Sequence, residues 1–186
     1  MGDETFAEYI LGETDWSKKL EIMYYLKKRT GIYYDNSVIF KALITKMFLD
    51  YLKQYNPDLQ IDENIFITAR LLCDCMKVEN STNIEEIKNY AKRGAEYLAK
   101  LGFDERFCRI CEGVNRYTIK ENRTIEMDIL ELADQFGGML LDRPERIGFE
   151  PEEAIVLLQY RNLKDKENKM LNLFIEFVHY AQNIEV

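Results

Sequence analysis

Four cysteines and a single histidine limit the chemistry open to this chain. Cys73 and Cys75 flank Asp74 in the stretch Leu71-Leu72-Cys73-Asp74-Cys75-Met76-Lys77, and Cys108 and Cys111 follow at Cys-x-x-Cys spacing. A Cys-x-Cys pair with a later Cys-x-x-Cys pair can form a tetrahedral zinc set. The surrounding pattern, however, places Cys73 and Cys75 on a helix, where residues i and i+2 point in different directions. The four therefore read as buried, reduced thiols, in keeping with an acidic chain without an export signal. His179, the lone imidazole, sits between Val178 and Tyr180 and reads as a packing or surface residue rather than a catalyst. The sequence offers no Ser-His-Asp set, no Walker phosphate loop and no Gly-x-Gly-x-x-Gly.

The elements that must carry these residues are helical. From Asn83 to Leu101, Ile84, Ile87, Ala91, Gly94, Ala95, Leu98 and Leu101 recur every three or four residues. Thr82 and Glu85 suggest a capping box at the start of that helix, and Gly102 suits a left-handed stop. Small Gly94 and Ala95 would admit a close neighbour. A short amphipathic piece at 4–11 ends at Gly12, and a helix from Trp16 to Arg29 ends at Gly31. Asn36 or Ser37 caps a long helix to Tyr55, with Phe40, Leu43, Ile44, Met47, Phe48, Tyr51 and Leu52 inside. Asn56-Pro57-Asp58 breaks the chain. Asp62 or Glu63 opens a helix through Met76 that carries Cys73 and Asp74. Asp104 caps a helix to Val114. Ile125, Ile129, Leu132, Ala133, Phe136 and Leu140 form another stripe, with Asp134 beside it. Pro151-Glu152-Glu153 is a favoured first turn, and a last helix runs from Asp165 to Ala181 with Met170, Phe174, Phe177 and Val178 inward. The class is all-α, with about eight helices.

Composition bounds the partners. With 186 residues, 47% of them hydrophobic, the chain can bury one substantial core. A net charge of −8 disfavours nucleic acid, which is bound by releasing counterions with Lys and Arg. Lys27-Lys28-Arg29 and Lys92-Arg93 read as solvated helix faces. No apolar run is long enough for a bilayer, and Met1-Gly2-Asp3-Glu4 is not a signal peptide, so a cytoplasmic protein with no membrane partner is expected.

Order and spacing together give a resemblance. From Asn36 to Leu158 the chain resembles the HD-GYP branch of the HD superfamily of metal phosphohydrolases. That family places a histidine at the start of its first core helix, then Leu-Leu-His-Asp-Ile-Gly-Lys, His-Pro-x-x-Gly-Ala and a His-His pair. Its core closes with Ala-Asp-x-Phe-Asp-Ala, Asp-Arg-Pro and Pro-Glu-Glu-Ala. Here Asn36-Ser37 stands at the first position, Cys73-Asp74 replaces His-Asp, and Lys77 keeps the lysine. Tyr90 takes the histidine position in Tyr90-Ala91-Lys92-Arg93-Gly94-Ala95, and the His-His pair falls near Asn115-Arg116 with neither histidine. Ala133-Asp134-Gln135-Phe136, Asp142-Arg143-Pro144 and Pro151-Glu152-Glu153-Ala154 match well and are the most specific part. The Gly-Tyr-Pro loop is absent between Arg116 and Thr124.

The resemblance implies an HD-like helical bundle spanning 35–186, with 1–34 as an N-terminal helical extension. It also implies a cleft containing Cys73, Asp74, Lys77, Tyr90, Asp134 and Arg143. Such hydrolases hold two metals through imidazoles and carboxylates, and only Asp74 and Asp134 remain, enough for one weakly held Mg²⁺. Either carboxylate could instead be paired with Lys77, Arg143 or a helix end. Arg143 could fork onto a phosphate or cap the preceding helix. The first expectation is a catalytically inactive regulatory or scaffolding module that binds a protein partner or a second copy and needs no cofactor. Tyr24-Tyr25 and Tyr33-Tyr34 are its interface candidates, or else core packing. The alternative is a nucleotide or cyclic-dinucleotide sensor with Lys77, Arg143 and Arg116 converging on phosphate. Residual one-metal hydrolysis at Asp74 and Asp134 is a weaker third.

Overall fold

The computed structural model describes residues 4–79, 81–165 and 168–183, with side chains at 163–165 left aside. Nine helices occur among the described residues, with no strand: α1 (Phe6–Gly12), α2 (Trp16–Thr30), α3 (Asn36–Tyr55), α4 (Glu63–Leu72), α5 (Ile84–Lys100), α6 (Glu105–Glu112), α7 (Ile125–Leu140), α8 (Pro151–Asp165) and α9 (Leu171–Gln182). The bundle is all-α, as the periodicity predicts. None of these helices is long and apolar enough to cross a membrane. Met1 to Asp3, three of the four residues of the start Met1-Gly2-Asp3-Glu4, lie outside the described residues.

Helix starts follow side-chain capping. Thr5 forms a capping box with Glu8, and Asp15, Asp62, Asp104 and Thr124 each accept an amide of the first turn. Two caps differ from the sequence reading. Asp35, not Asn36 or Ser37, caps α3, because its carboxylate accepts from both the Ser37 and Val38 amides. Asn83, not the Thr82 and Glu85 box, caps α5 through the Glu85 amide. Gly31 and Gly102 end their segments at φ 71° and 96°, where a Cβ would be strained.

α3 lies at the centre and packs against α4, α7 and α9. Phe48 of α3 meets Phe174 and Phe177 of α9 at ring-centroid distances of 4.9 and 5.2 Å, an arrangement that adds to their area burial. Leu43 and Met47 were expected inside but are half exposed, because the apolar face of α3 turns toward Val38, Ala42, Phe48 and Leu49. The N-terminal helices share the same core: Ala7, Ile10, Met23 and Leu26 are buried in it. Lys19 of α2 donates to Ile10 O, Asn64 Oδ1 and Thr68 Oγ1, which ties α1 and α2 to α4.

Two boundaries move. α4 ends at Leu72, so Cys73 to Met76 form a turn rather than more helix. Asp165 closes α8 instead of opening the last helix, which starts at Leu171; residues 166 and 167, inside the expected span, lie outside the described set.

Candidate functional site

The turn after α4 lies in the middle of the bundle. Its approach to α5 depends on Gly94, where a Cβ would stand 3.4 Å from Cys75 Sγ and 3.7 Å from Cys73 O. Gly94 of α5 thus receives the Cys-Asp-Cys turn, while the helix also packs against α6. From the opposite side the Tyr33 amide donates to Cys75 O at 2.9 Å. Held between these, Asp74 is fully buried.

A buried carboxylate must find cationic or hydrogen-bonding partners, and Asp74 has cations. Arg70, one helical turn earlier on α4 and also fully buried, places Nη2 2.5 Å from Asp74 Oδ2 and 3.5 Å from Asp134 Oδ1. Lys41 of α3 places Nζ 2.6 Å from Asp134 Oδ1 and 3.9 Å from Asp74 Oδ2. Gly137 of α7 makes this reach possible. A Cβ there would fall 2.8 Å from Lys41 Cγ, so its absence lets the lysine stem lie flat on α7, within reach of Asp134. Lys77 adds a third cation. Its ammonium sits 5.6 Å from the Tyr33 ring centroid and 5.9 Å from that of Tyr90. The nearby Asp74 charge raises its pKa, against the opposing effect of burial.

The remaining groups stay neutral. Burial pushes the Cys73 thiol and the Tyr90 phenol well above their ordinary ranges, and Cys73 Sγ donates to Arg70 O at 3.4 Å. At Asp134, burial works against ionisation, yet Lys41, Lys77 and Arg70 together hold the carboxyl well below the usual carboxylate range.

The structure therefore brings Cys73, Asp74, Lys77, Tyr90 and Asp134 together, but around the wrong partners for a metal. Lys41 and Arg70 pair with Asp74 through Oδ2 and with Asp134 through Oδ1, leaving Asp74 Oδ1 buried without a hydrogen-bond partner, while the groups at the other ligand positions are a protonated thiol, a protonated phenol and amides. Among the described residues no group of three or more His, Cys, Asp and Glu side chains is arranged to hold a metal ion. This donor set does not fit the metals that the HD resemblance implies. The four thiols are free and buried, with Cys73 and Cys75 in a turn rather than on the expected helix.

Arg143 stands apart from this centre. It donates to Gly138 O at 3.4 Å, the capping role, and Arg146 reinforces the end of α7 through Gly138 O and Met139 O at 2.9 and 3.1 Å. Arg116 is committed elsewhere, to Glu131 at 2.9 Å and Asp128 at 3.1 Å, in a network completed by Arg123 and Asn168. His179 is a surface residue 3.6 Å from Glu152.

Two cavities flank Lys77, Ile87 and Tyr90. One, of about 610 Å³, is lined by Tyr33, Lys41, Asp142 and Arg143; the other, of about 840 Å³, by Asn115, Arg116, Lys120 and Arg161. Lys77 and Arg143 thus share one cavity, and Lys77 and Arg116 the other. The three cations expected to converge on a phosphate do not do so.

Sequence reasoning named Lys77 and Arg143 as partners for the aspartates and missed Lys41 and Arg70. A signal was present: Arg70 interrupts an apolar run four residues before Asp74, and Lys41 stands on the face of α3 shared by Val38 and Thr45. No protein-family model matches this chain, and neither a curated protein nor a solved structure is matched.

Proposed function

We propose that this chain is a non-catalytic module of the HD kind that regulates or scaffolds through protein contacts. The observation that carries the reading is the internal neutralisation of Asp74 and Asp134 by Arg70 and Lys41. To enter, a metal would have to displace an arginine and a lysine from fully or largely buried carboxylates. Each displaced cation would then be left buried without its partner, which costs several kcal/mol. The ion pairs instead act as the fastener of the core: α3, α4 and α7 meet through them.

The contact surface is best supported on α2. Tyr24 and Tyr25 are 51% and 64% exposed, 6.3 Å apart edge to face, with Lys28 above the Tyr24 ring. Tyrosine suits an interface because a rigid apolar ring carries a polar tip. Tyr34, in contrast, is buried, and Tyr33 packs beside Lys77, so that second pair belongs to the core.

The experiment that tests the non-catalytic reading is turnover of bis(p-nitrophenyl) phosphate by the purified protein with Mn²⁺, Mg²⁺ or Fe²⁺. The expected result is a rate equal to that of metal alone. Metal-dependent turnover lost in Asp74→Ala would overturn the reading.

A further inference from the structure

The cavity of about 840 Å³ between residues 114–120, α7 and α8 has an unbalanced wall. Its two carboxylates are already occupied. Glu131 accepts from Arg116, Arg123 and the Asn168 amide. Asp134 accepts from Lys41 and lies 3.5 Å from Arg70. Arg123, Lys41 and Arg70 do not line this cavity, so they neutralise its acids from behind the wall.

The cations on the cavity side are not balanced in the same way. Lys120 and Arg161 line the space, are exposed, and have no carboxylate partner within 4 Å among the described residues. Lys77, at the inner end, leans on aromatic rings and feels the Asp74 and Asp134 charges, but has no carboxylate oxygen within 4 Å among the described residues, so it joins the wall as a partly balanced cation. Asn115 adds a neutral donor. Its Oδ1 accepts the Tyr117 amide at 3.0 Å, while its Nδ2 is shielded from solvent and lies near the Tyr90 hydroxyl without a well-formed hydrogen bond to it. Cations gathered in a concave wall focus a positive local field even in a chain of net charge −8. An arginine fork with lysines and an amide donor is the usual set for phosphate or carboxylate oxygens.

We propose that this cavity binds a small anion carrying two or more negative charges, a phosphate or a polycarboxylate, held by Lys120, Arg161, Lys77 and the Asn115 amide. The proposal goes beyond the regulatory reading by supplying an effector site. It stands or falls separately, because Lys120 and Arg161 play no part in the ion pairs that close the deeper centre.

The test is calorimetric titration of the full chain with pyrophosphate and with citrate, at ionic strength held constant with NaCl. Three proteins are compared: wild type, Lys120→Gln/Arg161→Gln, and Lys28→Gln on the exposed face of α2 as a charge control. Wild type and the control are expected to bind alike, and the double variant at least about tenfold more weakly, since each charge-assisted hydrogen bond contributes that order. Binding of pyrophosphate alone assigns a phosphate ligand, binding of citrate alone a polycarboxylate, and either supports the site. Amide exchange on the wild type gives a second readout that needs no variant: slowing at 114–120 and 131–135 is expected. No binding of either anion beyond NaCl overturns the proposal, as does equal binding by the double variant or protection confined to other segments.

Discussion

Replacing Asp74 with asparagine separates a closed ion-pair centre from a metal site by the sign of its effect. In a metal site kept free of metal, clustered carboxylates repel, and removing one stabilises the protein. Here Asp74 and Asp134 face Arg70, Lys41 and Lys77, so removing Asp74 leaves three cations around one carboxylate. With an effective dielectric of about 20, the 2.5 Å contact to Arg70 and the 3.9 Å contact to Lys41 correspond to about 7 and about 4 kcal/mol of gross attraction. Relief of the carboxylate's own desolvation offsets most of that, leaving a net loss of about 3–5 kcal/mol for breaking a fully buried pair. For a chain of 186 residues this is a fall in Tm of about 6–20 °C. The assay is urea unfolding in EDTA followed by circular dichroism, with a common slope checked across variants. The double variant Arg70→Met/Asp74→Asn should recover much of the loss, because no unpaired guanidinium remains in the core. An Asp74→Asn variant as stable as wild type or more so, or strict additivity of the two changes, would refute the reasoning.

Four further outcomes follow from the same geometry. Asp134 is held ionised in the fold against burial by Lys41, Lys77 and Arg70, so its contribution is present above the unfolded carboxyl range near pH 4 and is lost as pH falls below it. Urea midpoints between pH 5 and 2 should therefore fall less steeply in Asp134→Asn. Lys19 behaves oppositely: burial pushes its ammonium down to about 8 from 10.5, against Glu13 and Asp62, so the unfolded chain binds more protons between those values. The stability of wild type relative to Lys19→Met should accordingly rise as pH climbs from about 8 to about 10. Gly148→Ala should cost about 1–3 kcal/mol in urea unfolding, because a Cβ would strike the Leu140 carbonyl and the Leu141 backbone. Thiol titration with an aromatic disulfide should be slow for all four cysteines in the native state and fast in urea, because all four are buried and burial raises each thiol, Cys75 to about 12.

Helix number and type were legible because the apolar stripes are sustained over several turns and α1 to α7 each start behind an Asp, Asn or Thr cap. Boundaries were less so where two polar residues compete for one cap, as Asp35 does with Asn36 and Ser37. The α4 end was misread because Leu71 through Met76 are apolar apart from Asp74, and periodicity does not distinguish a buried turn from a buried helix. The members Cys73, Asp74, Lys77, Tyr90 and Asp134 of the centre were legible through the family pattern. Its chemistry was not, because the deciding cations come from positions that the pattern does not mark. Lys41 reaches Asp134 across 93 residues of sequence, and only the packing of α3 on Gly137 makes the contact possible. Arg116 shows the converse: its place where the HD resemblance expects a histidine pair suggested a ligand cation, whereas Asp128 and Glu131 one and two turns into α7 claim it.

Asp74 and Asp134 are charge-paired from within by Arg70 and Lys41 and do not await a metal. Thermal unfolding of the wild-type protein in EDTA and in millimolar Mn²⁺ tests this most directly. Equal Tm values in the two conditions are the predicted result, since a ligand that binds the native state must raise its stability. A rise with Mn²⁺ that disappears in Asp74→Asn would contradict the account.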